Sequence, residues 1–361
     1  MPARCRRSPP PVSVVLPVWN AAATLARAAE SIRGQTLIDW ELIAVDDGST
    51  DGSGEMLAAL ARTDRRVRVL TQPHRGIVAA LNAGMAAAGG DLIARMDADD
   101  ESRAERLAEQ AALFETDPGI GVAGCLVEYG GDRAAHAGYA LHIDWLNTLL
   151  TPAQIALNRF VESPVAHPSV MFRRELVERL GGYREGDFPE DYELWLRWLD
   201  AGVRMAKVPR VLFEWQDRPG RLSRTDRRYR PEAFFRLKAE WIARAVGRLL
   251  LKPPLERDGK QRLGDNAPSR EILVWGAGRV TRRRAEHLPT HGVRIAGYID
   301  IDPKKIGRKV GGLPVIGPGA LPPRREVFVL GYVASRGARE LQRATLASLG
   351  YVEGRDFLMC A

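Results

Sequence analysis

Asp97-Ala98-Asp99-Asp100 sets three carboxylates within four residues. Like charges that close repel one another unless a cation sits among them. Hard divalent cations such as Mg²⁺ or Mn²⁺ take oxygen ligands and bridge well to phosphate oxygens. A metal held here would neutralise a diphosphate and stabilise it as a leaving group. An Asp-rich turn that caps a helix beginning near Ser102 accounts for the same residues without any chemistry. A second acidic pair, Glu190-Asp191, opens the acidic-aromatic stretch that runs to Trp198. A carboxylate at a helix start is favoured by the helix dipole. It also suits a general base that deprotonates an acceptor hydroxyl. Asp46-Asp47-Gly48-Ser49-Thr50-Asp51 reads as a turn, or as an Asp that accepts hydrogen bonds from a base or ribose edge, with Gly48 allowing the chain to turn sharply beside it.

The dense basic cluster is Arg218-Pro-Gly-Arg221-Leu-Ser-Arg224, followed by Arg227, Arg228 and Arg230. Three readings fit it: a solvated basic face, a loop whose Arg221 or Arg224 clamps a diphosphate, or attraction to anionic lipid headgroups or a lipid-diphosphate acceptor. His167 is expected to be a hydrogen-bonded structural histidine. Trp195 and Trp198, three apart on one helix face, are expected to pack in the core.

Alternating elements must position these groups. Val12-Ser-Val-Val-Leu-Pro17 and Trp40-Glu-Leu-Ile-Ala-Val45 are short β-branched or apolar runs, expected as buried strands. Asn20 is expected to cap a helix with Leu25, Ala28, Ala29 and Ile32 on one face and Gly34 past its end. Helices near 54–62 and 77–88, strands at 67–71 and 91–96, and a helix from Ser102 to about Thr116 complete a strand–helix alternation. That alternation means a mostly parallel sheet, in which ligands bind at the carboxyl ends of the strands. Asn20, Asp46-Asp47 and Asp97–Asp100 all fall at such ends. The run from Ser163 to Phe172 is strand-like, and a helix is expected over 234–251.

The 361 residues are too many for one ordinary core and suit two or three domains. Apolar residues are 45% and charged residues 27%, which excludes a disordered or fibrous chain. No apolar run approaches the roughly 20 residues needed to cross a bilayer. The start is basic and proline-rich without an apolar core, so a tail over 1–11 is expected rather than a secretory signal. Cys5, Cys125 and Cys360 have no metal spacing, and a reducing cytoplasm is the expected compartment. The formal charge of +8 suggests nucleic acid, but seven of 53 basic residues are lysine, all after residue 200, and the arginines are widely spread. That is composition bias rather than a binding footprint, and no nucleic-acid partner is expected.

Eight segments in order and spacing make the chain similar to the family 2 glycosyltransferases, whose catalytic domain has the GT-A fold. They are Val12-Ser-Val-Val-Leu-Pro-Val-Trp-Asn20, Ser31-Ile-Arg-Gly-Gln35, Trp40 through Asp51, Ala80-Leu-Asn-Ala-Gly84, Asp91-Leu-Ile-Ala-Arg-Met-Asp-Ala-Asp-Asp100, Arg106-Leu-Ala-Glu-Gln110, His167-Pro-Ser-Val-Met-Phe172, and Gly181-Gly-Tyr-Arg184 with Glu190-Asp191-Tyr-Glu-Leu-Trp195. The resemblance covers about residues 12–225. It implies a nucleotide-sugar donor, a UDP-sugar by default. By the family pattern Pro17, Asn20 and Asp47 line the nucleoside pocket. Asp97 and Asp99 hold Mn²⁺ or Mg²⁺ and the donor diphosphate, with Asp100 as a substitute ligand and Arg221 as a donor contact. Asp191 is then the base of an inverting displacement onto a sugar or lipid-linked acceptor, in cell-surface glycan or polysaccharide synthesis. The family's usual tyrosine before the Asn is Trp19 here, which keeps an aromatic surface. The Gln-x-x-Arg-Trp element of processive members is missing, so single addition is expected. The implied location is cytoplasmic, with peripheral contact at the inner face of a membrane left open by the basic cluster, and no oligomeric state follows.

A second unit is expected beyond a connector and linker at 226–267. Over 268–361 the pattern is again strand, turn, helix, strand. Gly276-Ala-Gly278 after a strand, with Asp300 about 22 residues on, resembles the first half of a dinucleotide-binding motif, although Thr281 stands at its third glycine. The stretch from Tyr298 to Ile316 resembles small Rossmann-like domains associated with nucleotide sugars. The expected architecture is thus a GT-A catalytic domain over 12–225 and a smaller Rossmann-like α/β accessory domain, whose candidate nucleotide residues are Gly276, Gly278 and Asp300. Two other expectations stand beside this: a bifunctional protein with a nicotinamide-dependent second step, and a non-catalytic transferase-like binding protein.

Overall fold

The computed structural model describes residues 11–218, 220–251, 270–335 and 337–361. The basic tail through residue 10 and the linker expected up to residue 267 lie outside the described residues. The chain divides into two compact units, residues 11–156 with Pro164–Asp226, and Leu157–Ser163 with Arg227–Ala361. The helix Pro231–Leu251 belongs to the second unit.

The first unit is built on a sheet of eight strands: β1 (Val12–Val18), β2 (Trp40–Asp46), β3 (Val67–Thr71), β4 (Leu92–Arg95), β5 (Glu101–Ser102), β6 (Ile120–Tyr129), β7 (Met171–Arg173) and β8 (Arg204–Trp215). Their spatial order is β3-β2-β1-β4-β7-β6-β8-β5. The β3-β2-β1-β4 half is parallel. β7 runs antiparallel to both its neighbours, β4 and β6, while β6 and β8 are parallel. The fold is therefore a mostly parallel α/β sheet. Crossover helices cover both faces of β1 and β2, which is why these mostly apolar strands are buried at nearly every position instead of alternating. The helix Ile77–Ala87 lies so close that a Cβ added at Gly84 would come within 2.4 Å of a Val15 methyl.

Three local expectations are corrected. Asn20 does not cap the first helix; Thr24 stands at that position and Leu25–Arg33 is the helix, with Leu25, Ala28, Ala29 and Ile32 buried as the spacing predicts. Asn20 instead takes a left-handed backbone, φ 50°, and binds a neighbouring loop. Ser102 is not a cap either: it lies in β5, and its helix is Arg106–Thr116. The strand-like run ending at Phe172 is strand only over Met171–Arg173, preceded by a 3₁₀ turn at His167–Ser169.

Lys207, on β8, is 4% exposed and donates to the Leu146 carbonyl. Burial pulls its ammonium down to about 7 from an ordinary 10.5. Between those two values the unfolded chain carries a proton here that the native chain lacks, so stability rises with pH, by up to about 1.4 kcal/mol per pH unit. Below pH 7 the full cost of charging the buried amine is present. Lys207→Met is therefore expected to flatten this rise. Thermal melts between pH 6 and 10 should show its advantage over the wild type largest at pH 6–7 and shrinking toward pH 10; parallel curves would refute the assignment.

The second unit carries a six-stranded sheet, β9 (Glu271–Trp275), β10 (Ile295–Ile299), β11 (Lys309–Val310), β12 (Leu313–Ile316), β13 (Val327–Gly331) and β14 (Phe357–Met359), in the order β11-β12-β10-β9-β13-β14. All of its pairings are parallel except β11 with β12. Lys238 is fully enclosed and donates to three backbone carbonyls, those of Phe160, Val161 and Cys360. It thereby ties the segment Leu157–Ser163 and the last strand to one helix.

Candidate active site

The parallel half of the first sheet delivers its polar groups at one edge, as the strand order requires. The loops after β1 and β2 are stitched together. Asn20 Oδ1 accepts from the Thr50 amide at 2.9 Å, and the Asn20 amide donates to Ser49 Oγ at 3.0 Å. The Ala22 amide donates to Asp51 at 2.9 Å. Pro17 sits on β1 opposite Val45 and is half-buried. Gly48 turns at φ 76°, where a Cβ would come within 2.7 Å of the His74 amide nitrogen, so this position has no room for a side chain.

Asp47 is 3% exposed and its carboxylate is well occupied. One oxygen accepts from Gln72 Nε2 (2.6 Å) and the Arg75 amide (2.9 Å); the other accepts from the Gly76 amide (2.8 Å) and lies 2.8 Å from His74 Nδ1. Its visible work is to fix the turn after β3. That turn stacks His74 on Trp19, centroids 4.3 Å apart and planes 20° from parallel. Trp19 is 55% exposed, so the pair presents an open aromatic face beside Asn20 and Asp47. His74 carries no sequence pattern of its own and was missed for that reason.

Asp97, Asp99 and Asp100 follow β4 and bring carboxylate oxygens within 4.8 Å of one another. Their environments differ. Asp97 pairs with the guanidinium of Arg95, the last residue of β4. Asp100 is 0% exposed; one oxygen accepts from the Gln216 amide at 2.8 Å and the other has no hydrogen-bond partner. Asp99 accepts no hydrogen bond among the described residues. Burial raises the Asp100 carboxyl well above the ordinary range against the pull of Arg221, and its two neighbouring carboxylates add to the rise. Asp99 is raised by burial and by Asp97, while Arg221 and Arg218 pull the other way. An orphaned buried oxygen inside a set of three carboxylates is a donor set that fits a hard divalent cation.

The loop after β8 reaches this cluster. Arg221 donates to the Gln216 carbonyl, lies over the Trp215 ring at 4.4 Å and stands 3.9 Å from Asp100. Arg224 and the Tyr129 hydroxyl both donate to Asp217, which anchors the loop to β6. The basic residues 218–224 thus face carboxylates here.

Asp191 stands in the first turn of the helix Glu190–Asp200, half-buried, and accepts from the Tyr192 amide at 2.7 Å. Trp195 and Trp198 on that helix are 0% exposed and pack edge-on at 5.7 Å, with Phe172 edge-on to Trp198 at 5.2 Å. Arg197 on the same helix donates to the Gly181 and Gly182 carbonyls, fixing the loop that carries Tyr183. His167 Nε2 lies 2.7 Å from the Tyr183 hydroxyl. Burial, then Arg95, pushes the His167 imidazole well below its usual range, so it stays neutral. Burial raises the Tyr183 phenol strongly. Arg95 opposes this, and Asp191, Glu190 and Asp97 add to it. One hydroxyl therefore feels both acidic clusters, the one after β4 and the one at residues 190–191.

A buried polar frame holds the end of β4. Arg106, 0% exposed, donates to the Arg95 carbonyl at 2.7 Å and to Ser102 Oγ at 2.8 Å. Gln110 donates to the Ala123 and Ser169 carbonyls, at 2.9 and 2.8 Å. Gln35 accepts from the Leu107 amide at 2.9 Å and donates to the Arg103 carbonyl at 2.8 Å.

In the second unit Gly276 turns at φ 114°, packed against Thr281 and Val333. Asp300 accepts from the Ala277 and Asp302 amides, both at 2.9 Å, and from Lys305 at 3.1 Å. Beside them lies a cleft of about 210 Å³ whose lining includes Gly276, Gly278, Thr281, Asp300, Lys305 and Gln342.

Residues 13–181 match the model of Glycosyl transferase family 2. EpsE of Bacillus subtilis (strain 168) is 32% identical over 215 residues, covering 57% of this chain and 73% of the relative. The amylovoran biosynthesis glycosyltransferase AmsE of Erwinia amylovora is 29% identical over 211 residues, covering 56% and 74%. S. aureus TarS 1–349, solved in complex with UDP-GlcNAc, superposes with a TM-score of 0.52 at 17% identity, covering 78% of this chain and 72% of that one. The chain belongs to glycosyl transferase family 2, and its fold is of the GT-A kind.

Proposed function

We propose that the chain is an inverting transferase that moves a sugar from a nucleoside-diphosphate donor to a hydroxyl of a sugar or lipid-linked acceptor. The observation that carries this is the cluster of Asp97, Asp99 and Asp100 after β4, whose carboxylate oxygens lie within 4.8 Å of one another. Asp191 takes the proton of the acceptor hydroxyl. The acceptor oxygen attacks the anomeric carbon opposite the leaving group, and the electron pair of the broken carbon–oxygen bond departs with the nucleoside diphosphate. Pro17, Asn20, Asp47 and the Trp19–His74 face receive the nucleoside, and Arg221 faces the diphosphate. Mn²⁺ or Mg²⁺ on Asp97, Asp99 and Asp100 would neutralise the diphosphate as it leaves. The name of AmsE supports a place in polysaccharide or cell-surface glycan assembly. Buried free thiols at Cys125 and Cys360 suit a reducing cytoplasm. Among the described residues no helix is long and apolar enough to cross a membrane.

Thermal-shift titration with UDP, GDP and their sugar conjugates, with and without Mn²⁺, tests this reading. A ligand at about a hundred times its dissociation constant contributes about 2.7 kcal/mol and raises the melting point visibly. Stabilisation by one nucleotide family, larger with Mn²⁺, is expected, followed by transfer or slow donor hydrolysis. Binding without either reaction across the panel would favour a transferase-like binding protein.

The cleft in the second unit supports a second reading, a nucleotide or nucleotide-sugar site at Gly276, Gly278 and Asp300. Three donors already occupy Asp300, and Lys305 stands over it, which favours a phosphate-bearing ligand over the ribose-binding role of a free acidic residue in a dinucleotide site. Stabilisation by NAD, added to that panel, would restore the bifunctional alternative.

A further inference from the structure

We propose that Arg95 is a positioning residue that couples cation binding to diphosphate binding, keeping a lone divalent cation weakly held until the donor's phosphates arrive. This rests on reading the triad as the metal and donor site.

The placement carries the inference. Arg95 is the last residue of β4, two before Asp97, and only 2% exposed. Its guanidinium pairs with Asp97, while its Nε makes no hydrogen bond. Charge therefore holds it more than a bonding network does. Arg221 and Arg218 also face the triad, but they reach it from the loop after β8 rather than from β4 itself. The strand end that carries Arg95 is braced by Arg106 through the Arg95 carbonyl, and its side chain is buried against Asp97. Its burial keeps water from screening it, and a guanidinium paired with a carboxylate stays charged.

A divalent cation approaching the carboxylates thus meets a fixed positive charge on their inner side. In a poorly screened site such repulsion is strong. A diphosphate adds negative charge on the open side and restores the attraction. By linkage, the nucleotide tightens the cation by the same factor as the cation tightens the nucleotide.

The test is Mn²⁺ titration of the full chain by electron paramagnetic resonance, alone and with UDP or GDP. The wild type is expected to bind Mn²⁺ about tenfold or more tightly with the matching nucleotide, within the usual range of coupling. Arg95→Met and Arg95→Gln are expected to bind Mn²⁺ alone about tenfold more tightly and to lose most of the coupling, whereas Arg95→Lys keeps the wild-type pattern. Arg95→Gln retains a hydrogen-bond donor for Asp97 and carries the comparison if Arg95→Met does not fold. Unchanged Mn²⁺ affinity in the neutral variants, or weaker Mn²⁺ binding in them, overturns the proposal and leaves Arg95 a brace. Mn²⁺ bound by the wild type without nucleotide coupling overturns it before any variant is made. No Mn²⁺ bound under any condition overturns the metal reading itself, and this inference with it.

Discussion

Asp191→Asn is expected to lower turnover by about 10³-fold, inside the range that a positioned general base contributes, while donor and Mn²⁺ binding stay within about twofold of the wild type. Asparagine keeps the shape of the side chain and an oxygen for the Tyr192 amide, so the first turn of the helix Glu190–Asp200 stays as it is. The lost property is the capacity to accept a proton. Two neighbours are poor replacements. Glu190 is 2% exposed and so cannot readily meet an acceptor hydroxyl. His167 is half-buried and already bonded to Tyr183. Initial rates at saturating donor and acceptor, beside thermal shifts with nucleotide and Mn²⁺, check both halves. A rate within twofold of the wild type removes Asp191 from the chemistry, and a loss of donor binding would make it a structural residue of the site.

The parallel half of the sheet was legible because burial and chemistry agree there. Strands covered on both faces become mostly apolar runs, such as Leu42-Ile-Ala-Val45, and a run of that kind ending in aspartates announces a strand followed by a site. Helix faces were legible for the same reason: in Leu25–Arg33 all four residues the spacing selects are buried. Two long strands of the other half, β6 and β8, were not legible. β6 (Ile120–Tyr129) and β8 (Arg204–Trp215) mix Gly, Glu, Lys and Arg with apolar residues, so neither period shows, and their pairing is a long-range contact that no local pattern encodes. Asn20 and Ser102 were misread for one cause. Each is a good cap by type, yet each finds a partner far away in sequence: Asn20 accepts from the Thr50 amide, and the Ser102 amide donates to Ser31 Oγ. Tertiary hydrogen bonds outweigh local preference here.

The residues that support the site were the least legible. Arg106 and Gln110 stood inside a recognisable segment, yet only the structure shows them as a buried frame under β4. Arg95 did leave a trace, since an arginine in the otherwise apolar Leu92-Ile-Ala-Arg95 must find a buried countercharge, and Asp97 is the nearest one in the chain. Asp217 left none, because its partners, Tyr129 and Arg224, belong to segments 88 and seven residues away.

Asp99→Ala is expected to abolish Mn²⁺-linked nucleotide binding and transfer while raising the melting temperature of the metal-free protein. The two effects have one source. Asp97 is engaged by Arg95, and Asp100 by the Gln216 amide. Asp99 alone of the three is uncommitted, so it is the carboxylate with most to offer an incoming cation. Without a cation it is a charge held beside the like charge of Asp97 in a half-buried place; burial and Asp97 disfavour its ionised form, and Arg221, Arg218 and Arg95 offset only part of that. Removing it relieves that repulsion without opening a core cavity. For a unit of this size each kcal/mol recovered raises the melting point by about 2–4 °C, so an increase of that order is the expected reading at neutral pH. Mn²⁺ should shrink the difference, because it neutralises the same repulsion in the wild type. A function kept at the expense of stability is what a binding site built from like charges requires. If Asp99→Ala instead melts lower and still binds nucleotide more tightly with Mn²⁺, the acidic run is a structural turn and the cation lies elsewhere.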